Sequence, residues 1–288
     1  WPEDYPAPEL SAEALANTWD PDALYKKLSP ISSGYRKWIE QQKEQVPNLP
    51  KQLRNVAFEN IKLCLEAADR IDAAIDLVKN DENVRLAFCF ANKAMAKQAQ
   101  WARPGSSLVW RPFQLAFLLL NIPALARPKR EDRTVCDLIW FATGGGKTEA
   151  YLVVIAFLLA YRRLSEPSHA GEGVAVISRY TLRLLTIQQF RRALGLITAC
   201  ELLRVQGLNL PGAPVGWRPE NCPRHESFLW GTSRFSIGLW VGGKVTPNNL
   251  LSIVFPDGQR FVFLAGAVDI LKGAGSSEGF DPELRNRL

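Results

Sequence analysis

The sequence predicts an α/β fold, a parallel sheet flanked by helices around a phosphate-binding glycine loop, preceded by an N-terminal α-helical domain. Three observations predict it. The run Thr143-Gly144-Gly145-Gly146-Lys147-Thr148 follows an apolar stretch, Val135 to Phe141, and precedes an uninterrupted apolar segment, Tyr151 to Tyr161. That is the strand, loop and helix order of a P-loop. A second strand-to-helix unit comes after it, and alternation of this kind argues for a parallel sheet. Upstream, the apolar residues recur at helical spacing for some seventy positions.

In chain order, residues 1–30 are rich in Pro and Trp and read as an extended arm with a short helix near Ala12 to Asn17. From Gly34 to Trp101 the pattern is helical. Ala57, Ile61, Cys64, Ala68, Ile71, Ile75 and Val78 form one stripe of a helix ~40 Å long. Glu59, Lys62, Glu66 and Asp69 lie off it, facing solvent or a partner. Asn80-Asp81 stops this helix, and Val84, Phe88, Ala91 and Met95 begin another. The region reads as a helical bundle that props up the glycine-loop domain, or as a module that docks a partner or guides nucleic acid. Arg103-Pro104-Gly105-Ser106-Ser107 marks the domain boundary, dividing residues 1–104 from 105–288.

Beyond it come Trp110-Arg111-Pro112-Phe113-Gln114, a helix from Leu115 to Ile122, and a Pro/Arg-rich connector, Pro123 to Arg133. After the loop helix, His169 to Gly173 is a turn before the strand Val174 to Ser178, which feeds a helix from Leu182 to Ala199. A loop rich in Pro, Gly and Asn spans Gly207 to Pro223. Strands are expected at Phe235–Val241, Leu251–Phe255 and Phe261–Ala265. The last two, separated by Pro256-Asp257-Gly258-Gln259, read as a hairpin.

Successive glycines let a backbone approach an anion closely and aim several N–H groups at it, at the positive end of a helix. Lys147 is placed to reach the β- and γ-phosphates of a nucleotide, and the Thr148 hydroxyl to take a Mg²⁺ coordination position.

Bulk properties limit the class. Apolar content of 47% with 22% charged residues is that of a globular protein, and no apolar run reaches membrane-spanning length. The chain opens on Trp1-Pro2, which reads as a fragment or a lost start. Cys64, Cys89, Cys136, Cys200 and Cys222 are odd in number and scattered, as expected of reduced thiols in a cytosolic protein. Cys222-Pro223-Arg224-His225 has ligand-like spacing, but no second pair lies nearby for a structural zinc, so it reads as a loop. Residues 1–104 carry 14 Lys/Arg against 15 Asp/Glu, a balance of −1, leaving 21 against 14, or +7, for residues 105–288. The basic excess therefore accompanies the glycine loop, as in proteins that track nucleic acid.

The flanks of the loop narrow the choice. Gln114 stands 33 residues before Lys147, directly after Arg111-Pro112-Phe113. Its amide offers a paired donor and acceptor that complement the N6 and N7 edge of adenine, and the order resembles the Q motif of superfamily-two helicases. Capping or facing solvent at a helix start is the plainer role. Ser178 to Gln188 resembles motif Ia, with Arg183, Leu185 and Gln188 matching and Thr181 and Leu182 standing where Pro and Thr are usual. Arg179 and Arg183 add charge suited to strand phosphates, although an ordinary basic turn has the same composition. Phe235 to Gly243 resembles the strand and Gly-Gly turn of motif Ib.

Together these pieces resemble the first RecA-like lobe of a superfamily-two helicase. At finer grain, residues 33–250 resemble the helicase component of the DISARM phage-defence system, the DrmA family. The resemblance implies an ATP-dependent DNA helicase or translocase of bacterial antiviral defence, with DNA and a second, DrmB-like subunit as partners. It assigns the ATP site to Arg111, Gln114, Thr143, Gly144, Gly145, Gly146, Lys147, Thr148 and Glu149, with Lys147 and Thr148 as its catalytic pair and Thr148 the contact to Mg²⁺. Arg179, Thr181, Arg183, Gly242 and Gly243 are the candidate DNA contacts. Phe141 departs from the general helicase pattern, which has Ala or Gly there.

Such a motor also needs an Asp-Glu pair for Mg²⁺ and arginines from a second lobe. After Lys147 the sequence has no apolar strand ending in Asp-Glu; Asp269 comes after Phe261–Val268, but Ile270 stands where Glu belongs. The reading is therefore part of a larger enzyme. The competing class is a nucleotide-gated DNA- or partner-binding module without turnover. A P-loop ATPase of another lineage ranks last, because it lacks the upstream Gln and the Thr-Leu-Arg…Gln segment.

Overall fold

The computed structural model describes residues 4–127, 134–140, 144–166, 173–180, 183–239, 253–257 and 260–264. By internal contacts the chain forms two units, Trp1–Arg179 with Arg191–Ser236, and Tyr180–Phe190 with Ile237–Leu288.

The first unit is built of helices. Ser11 caps α1 (Ala12–Ala16) by accepting from the Ala14 N–H at 3.2 Å, and Asp20 caps α2 (Pro21–Gln45) by accepting from Ala23 at 2.7 Å. The arm expected over residues 1–30 is thus helical from Pro21 onward. An Asp cap followed by Pro, whose missing N–H costs nothing in the first turn, starts the helix there. The part of the arm before α1 binds residues 108–110. Ala12 N–H donates to Leu108 O at 3.0 Å and Trp110 N–H to Leu10 O at 2.7 Å.

Helix α3 (Arg54–Asn80) carries the predicted stripe. Ala68, Ile71, Ile75 and Val78 are buried, while Ala57, Ile61 and Cys64 toward its start are half-buried. Off the stripe, Asp69 and Asp72 are held by Arg36 of α2, at 2.5 and 2.6 Å. Asp81 ends α3 and caps α4 (Glu82–Ala102), accepting from Asn83 and Val84. Helix α4 is buried continuously from Val84 to Asn92, as a central helix must be. It packs along α6 (Lys147–Ser165) and against α1; α3 packs on α2 and on α5 (Pro112–Ala126), and α5 on α6. Trp110, fully enclosed, donates its indole N–H to Asn92 Oδ1 of α4 at 2.8 Å, which fixes the chain at the start of α5.

Among the described residues, which are mostly helical, the expected RecA-like parallel sheet is absent. The one sheet among them is an antiparallel pair, β1 (Ile253–Asp257) and β2 (Arg260–Leu264), in the second unit, with Ile253 opposite Leu264 and Asp257 opposite Arg260. The antiparallel pairing is the one predicted, but Pro256 and Asp257, expected in the turn, belong to β1. Residues 135–140, 174–178 and 235–239 form no regular secondary structure and join no strand ladder. In the first two segments large apolar side chains are left in solvent, with Leu138 79%, Trp140 89% and Ile177 86% exposed, whereas Phe235 of the third is buried. Apolar runs with β-branched residues favour extended backbone. A parallel strand additionally needs hydrogen-bonded neighbours and cover on both faces. Here the core is filled by helix-on-helix packing instead, so no sheet lies beneath α6 among the described residues.

No helix among the described residues is long and apolar enough to cross a membrane.

Candidate functional site

The glycine loop ends where α6 begins. Gly144 and Gly146 have φ of +80° and +87°, and Gly146 is the left-handed residue that opens the helix at Lys147. Two glycines in that conformation lie at the positive end of a 19-residue helix, where backbone N–H groups favour an anion. Thr148 is buried, and Gly145, Gly146, Lys147 and Glu149 are half-buried. These features fit a polyphosphate chain with its Mg²⁺: loop amides, an ammonium and a hydroxyl side by side.

Helix α5 supplies the second part of the site. Pro112 occupies its first turn, where φ near −65° is pre-organised, and this places Gln114 at the third helical position. The Gln114 amide is buried; its Oε1 accepts from the Arg111 N–H at 2.8 Å and its Nε2 donates to Gly146 O at 2.7 Å. Arg111 Nη1 donates to Gly145 O at 2.9 Å. Segments more than thirty positions apart in sequence therefore meet, and the Arg-Pro-aromatic-Gln segment touches the loop through two consecutive carbonyls. The capping role considered for Gln114 is present as well, in its contact with the Arg111 N–H.

Of the third part the sequence points to Glu149 but not to its partner. Glu149, in the first turn of α6, forms an ion pair with Arg192 of α7 (Arg183–Arg204). Arg192 O in turn accepts from Gln98 Nε2 of α4 at 2.5 Å. No local pattern marks Arg192 as the partner of a residue 43 positions earlier. The only signal in the sequence is an acid in the first turn after Lys-Thr, which calls for a cation.

In the sequence before the loop, Asp137 is held by Arg70 of α3 through two bonds, Nη1 to Oδ1 and Nη2 to Oδ2, each 2.8 Å, and Nη2 also donates to Leu120 O at 3.1 Å. This pair anchors the segment that leads to the glycines. At the far end of α6, Arg163 is buried, donates to Trp230 O and Arg234 O, and lies 4.5 Å over the Phe235 ring. Burial, and then Arg204, push its guanidinium below the usual range. Glu201, held low chiefly by its bond to Arg204, accepts from the Phe235 N–H at 3.0 Å. The segment read as motif Ib is thus fixed at its first residue.

The other predicted site residues are less gathered. Arg179 is exposed on the segment after 174. Arg183 is the first residue of α7. Thr143, Thr181, Gly242, Gly243 and Asp269 lie outside the described residues. Cys222 is buried, which raises its thiol pKa, and His225 beside it in sequence is exposed. Among the described residues no group of three or more His, Cys, Asp or Glu side chains is placed to hold a metal ion.

Comparison with known proteins points one way. The sequence is 38% identical to the DISARM protein DrmA of Bacillus paralicheniformis. The alignment runs over 268 residues and covers 86% of this chain but 22% of that protein. The chain is DrmA-like over most of its length and spans about a fifth of this relative. No protein-family model matches it.

Proposed function

We propose that this chain is the nucleotide-binding part of an ATP-dependent DNA translocase or helicase acting in bacterial defence against phage, as a DISARM component. The observation that carries the nucleotide reading is the meeting of Arg111 and Gln114 with the carbonyls of Gly145 and Gly146 at the start of α6. Similarity to DrmA supports the defence role. In this reading the N–H groups of the loop hold the phosphates of ATP. Lys147 offsets their charge, and Thr148 contributes its hydroxyl to the accompanying Mg²⁺. ATP supplies a phosphoanhydride bond whose hydrolysis releases free energy. The side chains named here bind and orient it. Arg179, Thr181 and Arg183 contact strand phosphates, with Gly242 and Gly243 contributing backbone, and a DrmB-like subunit is the protein partner.

The test is ATP turnover by the full-length protein with and without DNA, beside Lys147→Ala. DNA-stimulated turnover is expected, and loss of the lysine should lower it ~100-fold or more, as removal of a preorganised charge-stabilising donor does. DNA binding should weaken steeply with salt. DNA affinity that responds to ATP without any turnover in the wild type would reject the motor in favour of a nucleotide-gated binding module.

A further inference from the structure

We propose that Arg111 and Gln114 are positioning residues for the polyphosphate chain of the nucleotide, acting through the loop backbone, and that they do not select the base. The inference rests on the nucleotide-binding reading above. It starts from which atoms they touch: Arg111 Nη1 donates to Gly145 O at 2.9 Å and Gln114 Nε2 to Gly146 O at 2.7 Å. Those carbonyls belong to the two peptide units whose N–H groups are on Gly146 and Lys147. A trans peptide is planar, with its C=O and N–H pointing in opposite directions. Pinning the two carbonyls on the α5 side therefore fixes the opposite direction of the Gly146 and Lys147 N–H groups. Those are the donors that an anion at the start of α6 would meet.

Two further observations agree. The Gln114 side chain is almost wholly enclosed, and its Oε1 already accepts from the Arg111 N–H, so the amide is locked by both ends between α5 and the loop. Gly146 also admits Gln114 only because it has no side chain; a Cβ there would stand 2.7 Å from Nε2. The close approach of an amide to this glycine is thus built into the loop.

The decisive comparison is between ATP and inorganic tripolyphosphate, which has the phosphate chain and no base. Both are titrated by calorimetry, with Mg²⁺ present, into the full-length wild type, Gln114→Glu and Arg111→Ala. Gln114→Glu keeps an acceptor for the Arg111 N–H but sets a carboxylate against Gly146 O. Arg111 is exposed, so its truncation leaves the core intact. The expected result is that each variant loses affinity for both ligands by the same factor, about tenfold. Loss confined to ATP, with tripolyphosphate binding unchanged, would make Gln114 a base reader and overturn the proposal. Unchanged binding of both ligands would overturn it as well. A wild type that binds neither ligand refutes the nucleotide reading itself, and the inference falls with it.

Discussion

Gly146→Ala is expected to lower ATP affinity by about 10- to 1,000-fold, and Gly144→Ala by distinctly less. Both glycines have φ near +80°, where an alanine costs about 1–2 kcal/mol. They differ in what a Cβ would meet. At Gly144 it meets nothing within 4 Å, whereas at Gly146 it lies 2.7 Å from Gln114 Nε2 and 3.6 Å from Glu149 Oε2. The Gln114 amide is buried and held at its other end by the Arg111 N–H, so it has little room to yield. Expelling it leaves a buried donor without its acceptor, worth about 1–3 kcal/mol more. The sum, about 2–5 kcal/mol, is met by a loop that abandons its geometry. At about 1.4 kcal/mol per factor of ten, most of it emerges as lost affinity for the phosphates. Titration of ATP into the two variants and the wild type checks this. Equal losses at the two positions would mean that the approach of Gln114 plays no part, and no loss at either would reject the loop as the binding site.

How far the molecule is legible in its sequence depends on whether a feature is local. Asn80-Asp81 reads as the end of one helix and the start of the next, and Asp81 does both, because an Asx cap is decided within four residues. The stripe on α3 and the antiparallel pairing of the last two apolar runs obey local rules too, and both are present. Asp20-Pro21 obeys the same capping rule, although the Pro- and Trp-rich composition around it suggests an arm. The sheet fails for the opposite reason. Residues 135–140 and 174–178 state only that their backbone prefers to be extended. Pairing is decided by what lies beside them, and here α4, α5 and α6 pack on one another.

The site divides along the same line. The glycine loop is contiguous and legible directly. Gln114 and Arg111 are legible because their order relative to the loop carries information, although their contact is with its carbonyls. Arg192 is not, since its meeting with Glu149 depends on how α7 lies against α4, where Gln98 holds it. Asp137 reads in sequence as one residue of an apolar strand. Its polarity is the clue, because a carboxylate within such a run needs a cation.

That cation is Arg70, and removing it is expected to destabilise the protein by about 3–5 kcal/mol. The pair is 15% and 17% exposed at its two side chains, bidentate at 2.8 Å, and extended by a bond to Leu120 O. Arg70→Ala leaves the Asp137 carboxylate largely desolvated without its cation, and Asp137→Ala leaves the guanidinium its bond to Leu120 O but no counter-charge. Replacing both, as Arg70→Met with Asp137→Leu, removes the desolvation cost along with the attraction and should recover most of the stability. Thermal melting of the two single variants should show midpoints lower by roughly 6–20 °C, if a domain of this size shifts by ~2–4 °C per kcal/mol. The double variant should melt within a few degrees of the wild type. Its ATP affinity should nevertheless stay below that of the wild type. The bidentate geometry also fixes where residues 134–140 run before the glycines, and an apolar pair lacks that direction. Strictly additive losses in the double variant would show that the two side chains do not act as a pair. Full ATP affinity in a stably folded double variant would confine Arg70 and Asp137 to stability, with no hold on the loop.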